Sequence, residues 1–150
     1  VVLSVPYKFI ESMTVDLKRS YTDQIVISPV VPMARVDKHF EYTPPAQGSA
    51  ALLVKDLLPP SVRLVAGFHT ISYAAFGDLD KRVEGDVLIA GDDPRAKEVV
   101  ADLVRMVKDL RPLDGGPLKA AAQIEGLPPL RLNISRLNKV KNAGISVIEG

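Results

Sequence analysis

The run Val62-Arg-Leu-Val-Ala-Gly-Phe-His-Thr-Ile-Ser-Tyr73 constrains the fold more than any other stretch of the chain. Its opening, Val62 to Gly67, is short, apolar and rich in β-branched residues, and it ends at a turn signal. Such a run predicts a strand buried on both faces, as found in a sheet flanked by helices. His69 and Thr70 follow directly. In open α/β sheets, ligands sit just beyond the carboxyl ends of the strands. The search for function therefore begins at this pair.

The flanking sequence supplies the other layers. Val1 to Val5 reads as a strand stopped by Pro6, which has no amide hydrogen for the ladder. Phe9, Ile10, Met13 and Leu17 recur at helical spacing and predict a helix over 8–19. Ile25 to Ser28 is a second strand, ended by Pro29. One strand–helix–strand step implies parallel pairing and a right-handed crossover. Residues 30–47, with Pro32, Pro44 and Pro45, read as an irregular excursion. A helix is expected over 48–58, ended by Pro59-Pro60, and a short helical turn over Ser72 to Leu79. Val87 to Ala90 is a further strand. Asp93-Pro94 is a strong helix start, a side-chain cap with proline at the first helical position. Ala96, Val99, Val100, Leu103, Val104, Val107 and Leu110 continue that helix. Arg111 to Asp114 is a brief strand, and Gly115-Gly116-Pro117 turns out of it. Leu118 to Glu125 suits a helix that Pro128-Pro129 should break or kink. Leu130 to Leu137 resumes it, and Ile145 to Ile148 is a last strand or an extended tail.

Bulk properties narrow the function classes. At 150 residues, 47% hydrophobic and 25% charged, the chain is long enough for a real core. A net charge of +1 gives no general attraction to nucleic acid. The absence of cysteine excludes disulfides and thiolate chemistry. No apolar run is long enough to span a bilayer and no basic-then-apolar leader opens the chain. The expectation is a soluble, cytoplasmic protein that binds small molecules and neither nucleic acid nor membrane, with self-association as a homodimer through uncovered apolar faces.

The strand ends form a series: Ser4-Val5-Pro6, Ser28-Pro29, His69-Thr70 and Asp114-Gly115-Gly116. In a parallel sheet the first three converge on one rim, a line of polar atoms and free amides sized for a cofactor. His69 has two readings, a hydrogen-bonding platform at a site or a satisfied core residue. His39 stands in the excursion and is expected to be exposed. No ligand spacing supports a metal site. Asp92-Asp93 is explained by the helix cap. No Gly-x-Ser-x-Gly elbow and no P-loop occurs. Residues 117–150 are biased to base, with Lys119, Arg131, Arg136, Lys139 and Lys141 against Glu125 and Glu149. Packed near the strand ends, that segment would suit an anionic ligand; a solvated helix face is the other reading.

Several segments, in order, resemble one family. They are Ile25-Val-Ile-Ser-Pro-Val-Val-Pro32, Gly67-Phe-His-Thr-Ile71, Ala90-Gly-Asp-Asp93, Leu110-Arg-Pro-Leu-Asp-Gly-Gly-Pro-Leu118, Ala121-Ala-Gln-Ile-Glu125 and Leu132-Asn-Ile134. Together they resemble the NADPH-dependent coenzyme F420 reductases. The resemblance implies the C-terminal half of a Rossmann-like, mostly parallel α/β sheet over residues 1–92. A small, mainly helical region over 93–150 would pack on it. It also implies that the family's opening strand, glycine-rich turn and helix, whose amides bind the pyrophosphate, are missing from this chain, so that the chain alone would bind NADP weakly.

The implied activity is hydride transfer between NADP(H) and the deazaflavin coenzyme F420. The implied cofactor-binding residues are Ser4, Val5, Pro6, Ser28, Pro29, His69, Thr70 and Ile71. No residue acts as an acid or base, because the reaction needs only two carbons held close and aligned. Family members can carry hydroxyl residues where this chain has Gly126 and Pro128. That motivates one alternative, an NADPH-dependent reductase with a flavin or small carbonyl acceptor; the missing phosphate loop motivates another, a non-catalytic nucleotide-binding or interaction domain.

Overall fold

The computed structural model describes residues 1–72, 84–141, 143–148 and 150. Its sheet contains β1 (Ile25–Ser28), β4 (Arg63–Ala66), β5 (Gly85–Gly91) and β6 (Leu110–Asp114), in the order β1-β4-β5-β6. β1 pairs with β4 in parallel, Ser28 opposite Ala66. The opening residues run alongside β1. Val2 bridges Ile27 in parallel, Ile27 N–H donates to the Val1 carbonyl at 2.8 Å, and Leu3 N–H donates to the Ile27 carbonyl at 2.9 Å. β5 runs antiparallel to β4, with Ala66 opposite Ala90, and β6 is parallel to β5. The sheet is thus mostly parallel with one reversal. β6 belongs to the 93–150 segment, so one sheet runs through both expected regions.

Neighbouring strand residues point to opposite faces, which explains the unbroken apolar runs. Val26, Leu64 and Ala66 meet a layer made of α1 (Ile10–Asp16), α2 (Ala50–Leu57) and α4 (Ala121–Asn138), through Ile10, Val54 and Ile124. Ile27, Val65, Val87 and Ile89 meet α3 (Pro94–Arg105) through Val100 and Val104 on the other face. α3 begins as its sequence dictates: the Asp93 carboxylate accepts from Ala96 N–H at 2.8 Å, with Pro94 in the first turn.

Three expectations need correction. First, 30–47 contains a hairpin, β2 (Met33–Val36) antiparallel to β3 (His39–Tyr42), with Asp37 at φ +52° in its turn. Its outward residues are exposed, so the alternation carries little hydrophobic contrast. Its inner edge is satisfied by a side chain instead of a strand. Phe40 N–H donates to Asn133 Oδ1 at 2.9 Å, and Asn133 Nδ2 donates back to the Phe40 carbonyl at 2.8 Å. Second, α4 continues through Pro128 and Pro129. Both prolines are buried together with Ile124 and Glu125, and that packing outweighs a break that would dominate in an isolated helix. Third, the α3 helix stops at Arg105 and does not reach Leu110. Ile145 to Ile148 takes the extended-tail alternative and forms no strand. The helical turn expected over Ser72 to Leu79 lies, beyond Ser72, outside the described residues.

Candidate cofactor site

The carboxyl ends of the first two parallel strands and the opening segment frame one cleft of about 700 Å³. Six of the eight residues expected at a cofactor site line it: Ser4, Val5, Pro6, Pro29, His69 and Ile71. Pro6, Pro29 and His69 therefore share a rim, as parallel pairing requires. Four further lining residues, Val2, Leu3, Val30 and Phe68, were not singled out in the sequence. Their signal was available as neighbours of the strand ends, but apolar residues there read as core. Among the described residues, no charged side chain lines the cleft. That lining suits flat, mainly apolar ring systems.

Two expected residues lie elsewhere. Ser28 is fully buried beneath the rim, and its hydroxyl has no hydrogen-bond partner among the described residues. Thr70 is also buried, and its hydroxyl donates to the Asp86 carbonyl at 2.7 Å. Strand-end position locates a residue on the rim but does not say which way its side chain turns, and Thr70 turns back onto β5.

His69 departs from the exposed platform that a rim position suggests. It is 5% exposed, and neither ring nitrogen makes a well-formed hydrogen bond with the described residues. Burial pushes its pKa from 6.5 down to about 4, and the adjacent Val30 backbone opposes that fall only in part. The imidazole is neutral near pH 7, with one N–H to give and one lone pair to receive. Before it stands Phe68 at φ +69°, in the left-handed region that bulky residues avoid.

Beyond Ile71 the wall rests on β5. A Cβ at Gly85 would stand 3.4 Å from Ile71 Cδ1. Asp86, next to it, is buried and accepts four hydrogen bonds: Arg111 Nε at 2.7 Å, Arg111 Nη2 at 3.0 Å, Ser146 Oγ at 2.9 Å and Val147 N at 2.6 Å. The Arg111 guanidinium, foremost among these, holds the carboxyl well below the usual carboxylate range despite its burial. A second buried carboxylate, Glu125, caps α2. It accepts from Ala50 N–H at 2.8 Å, Ala51 N–H at 2.9 Å and the Tyr42 hydroxyl at 3.1 Å. Burial raises its pKa, and those donors oppose the rise.

The basic residues near the C-terminus do not reach the cleft. Arg131 donates to the Ala143 carbonyl at 3.1 Å, and Arg136 lies 3.4 Å from the exposed His39. A groove of about 410 Å³ beside α3 is lined by Lys97, Glu98, Arg105 and Asp114, among others. Its charges are already paired, Lys97 with Asp114 and Arg105 with Glu98, each at 2.8 Å, which makes it a weaker candidate. The described residues contain no cluster of three or more acidic or histidine side chains able to hold a metal ion, and no helix long and apolar enough to cross a membrane.

No protein-family model matches the chain. It is 35% identical over 149 residues to the F420-dependent NADP reductase of Methanocaldococcus jannaschii, covering 98% of this chain and 66% of that protein. It is 31% identical over 150 residues to the F420-dependent NADP reductase of Methanothermobacter thermautotrophicus, covering 98% and 65%. The chain thus spans just under two thirds of the length of these relatives. Its fold is similar to a crystal structure from Arthrobacter sp. FB24, provisionally described as an F420-dependent NADP reductase. The TM-score is 0.84 at 18% identity, over 99% of this chain and 68% of that one. This last likeness concerns the fold alone.

Proposed function

We propose that the chain shares the activity of the F420-dependent NADP reductases it is similar to, and that its cleft seats the nicotinamide of NADP(H) against the deazaflavin ring of coenzyme F420 for hydride transfer. The convergence of Pro6, Pro29 and His69 around one cleft carries this reading. When bound, NADPH supplies the hydride, and the deazaflavin takes it up with a proton from solvent. The protein's part is to hold, orient and exclude water.

The residues fit that part. Pro6 and Pro29 give a rim whose prolines offer no amide donor. Ile71 gives an apolar wall packed against the core cluster that holds Val87 and Ile89. His69 lines the cleft, and both its ring nitrogens are buried without a well-formed partner among the described residues. A turn of the imidazole toward a polar ring edge would satisfy one of them, an incentive because unpaired buried polar atoms are costly. The chain contains no Gly-x-Gly-x-x-Gly, so this reading concerns the ring-binding end of the dinucleotide.

A second reading differs only in the acceptor. Among the described residues no basic side chain lines the cleft, so none of them selects an anionic coenzyme tail. A flavin or a small carbonyl compound is then the rival acceptor. The test is to mix the protein with NADPH and each acceptor in turn. Bleaching of the deazaflavin's visible absorbance, faster than with flavin or carbonyl, is expected. NADPH consumed with flavin or carbonyl alone moves the assignment to the second reading. Consumption with none of them, at concentrations where NADPH and the acceptor are shown to bind, defeats both.

A further inference from the structure

The wall formed by His69 and Ile71 is held from behind. β5 runs antiparallel to β4, so the chain leaving β4 passes back along β5 toward its start. There the Thr70 hydroxyl meets the Asp86 carbonyl at 2.7 Å, in a buried position. Thr70 lies between two cleft-lining residues and does not line the cleft itself. The acceptor is fixed in turn. The four hydrogen bonds to the Asp86 carboxylate tie it to Arg111 on β6 and to Ser146 and Val147 of the C-terminal tail. Arg111 Nη2 also donates to the Val147 carbonyl at 2.6 Å. Within the wall, Ile71 N–H donates to the Phe68 carbonyl over a long 3.3 Å. The wall also carries the left-handed Phe68. A strained turn held by so long a bond gains from an outside anchor that keeps it in one shape.

We propose that Thr70 is a positioning residue: its hydroxyl anchors the His69–Ile71 wall to the Asp86 backbone, and it makes no contact with cofactor. The inference rests on the ring-binding reading of the cleft for its consequence, but its geometry is separately testable. The substitution Thr70→Val keeps the shape and removes the donor to the buried Asp86 carbonyl. Thr70→Ser keeps the donor.

Hydrogen exchange of the backbone amides at 68–72, read by mass spectrometry on the whole chain, tests the anchor without any ligand. Thr70→Val should speed exchange there about fivefold or more, the scale of one lost net hydrogen bond. Thr70→Ser should match the parent. In turnover with NADPH deuterated at the transferred position, Thr70→Val should raise the primary isotope effect, because misaligned rings make the chemical step limiting. Loss of folded protein would lower the rate and leave the isotope effect unchanged. Should Thr70→Val fail to fold, Thr70→Ala carries the same comparison. Unchanged exchange in the variant lacking the donor, or Thr70→Ser behaving like Thr70→Val, overturns the proposal. Absence of turnover in the parent counts against the proposed function, while the exchange result still decides the anchor.

Discussion

Acid should unfold this protein in a window set by one histidine. His69 titrates near 6.5 in the unfolded chain and at about 4 when folded, because it is buried. Between those values the unfolded state binds a proton that the folded state refuses. Stability is therefore fully present above about pH 6.5 and is lost as pH falls toward 4. The gap of about 2.5 pH units, at about 1.4 kcal/mol per unit, is worth roughly 3 kcal/mol. That is a large share of the 5–15 kcal/mol typical of a domain. Asp86 acts at lower pH, since its depressed folded value gives stability that persists above the unfolded carboxylate range and is lost below it. Glu125 acts in the opposite sense, since its raised value favours the protonated folded form as pH falls. His69→Leu removes the histidine contribution and leaves both carboxylates in place. Urea unfolding of parent and variant at pH 7 and near pH 4 should show the parent losing roughly 3 kcal/mol more than the variant. Equal losses would refute the buried, neutral imidazole on which the description of the cleft depends.

Other perturbations probe the frame around the cleft. Glu125→Ala leaves the Ala50 and Ala51 amides and the Tyr42 hydroxyl without their shared acceptor; a loss of about 3 kcal/mol in urea unfolding at pH 7 is expected. Gly115→Ala would place a Cβ 3.1 Å from Ile124 Cδ1 and 3.2 Å from the Ile89 carbonyl oxygen, which backbone pairing holds in place. It should lower stability by about 1–3 kcal/mol, whereas Gly126→Ala, with open space around it, should be neutral or slightly stabilising. Ser49→Ala removes the acceptor for Leu52 N–H at 3.0 Å and should cost about 1 kcal/mol. Ile71→Trp should fill the cleft and abolish NADPH oxidation while the thermal midpoint stays within a few degrees of the parent's.

Sequence patterning carried the sheet because burial on both faces leaves a strong trace. Val26-Ile27 and Leu64-Val65 each send one residue to either layer, so every position is apolar. Asp93-Pro94 was legible for a different reason, since a cap acts within four residues and needs no tertiary contact. The hairpin over Met33 to Tyr42 was hidden because its partner is Asn133, 93 residues from Phe40. The continuity of α4 was hidden because the proline rule describes a helix alone, while Pro128 and Pro129 are held in a core. At the site, topology placed Pro6, Pro29 and His69 on one rim. Side-chain direction at Thr70 and the depth of His69 depended on β5 running antiparallel, and no periodicity in Val87 to Ala90 encodes a direction.

The most direct test of the ring-binding cleft is an NMR titration of the methyl-labelled chain with NADPH, a method that registers weak binding. Ile71 and Val5 should shift first and furthest, and their shifts should be absent with a nucleotide that lacks nicotinamide. Shifts confined to Ile89, Ala101 and Leu113, which line the groove beside α3, with Ile71 and Val5 unmoved, would contradict the account.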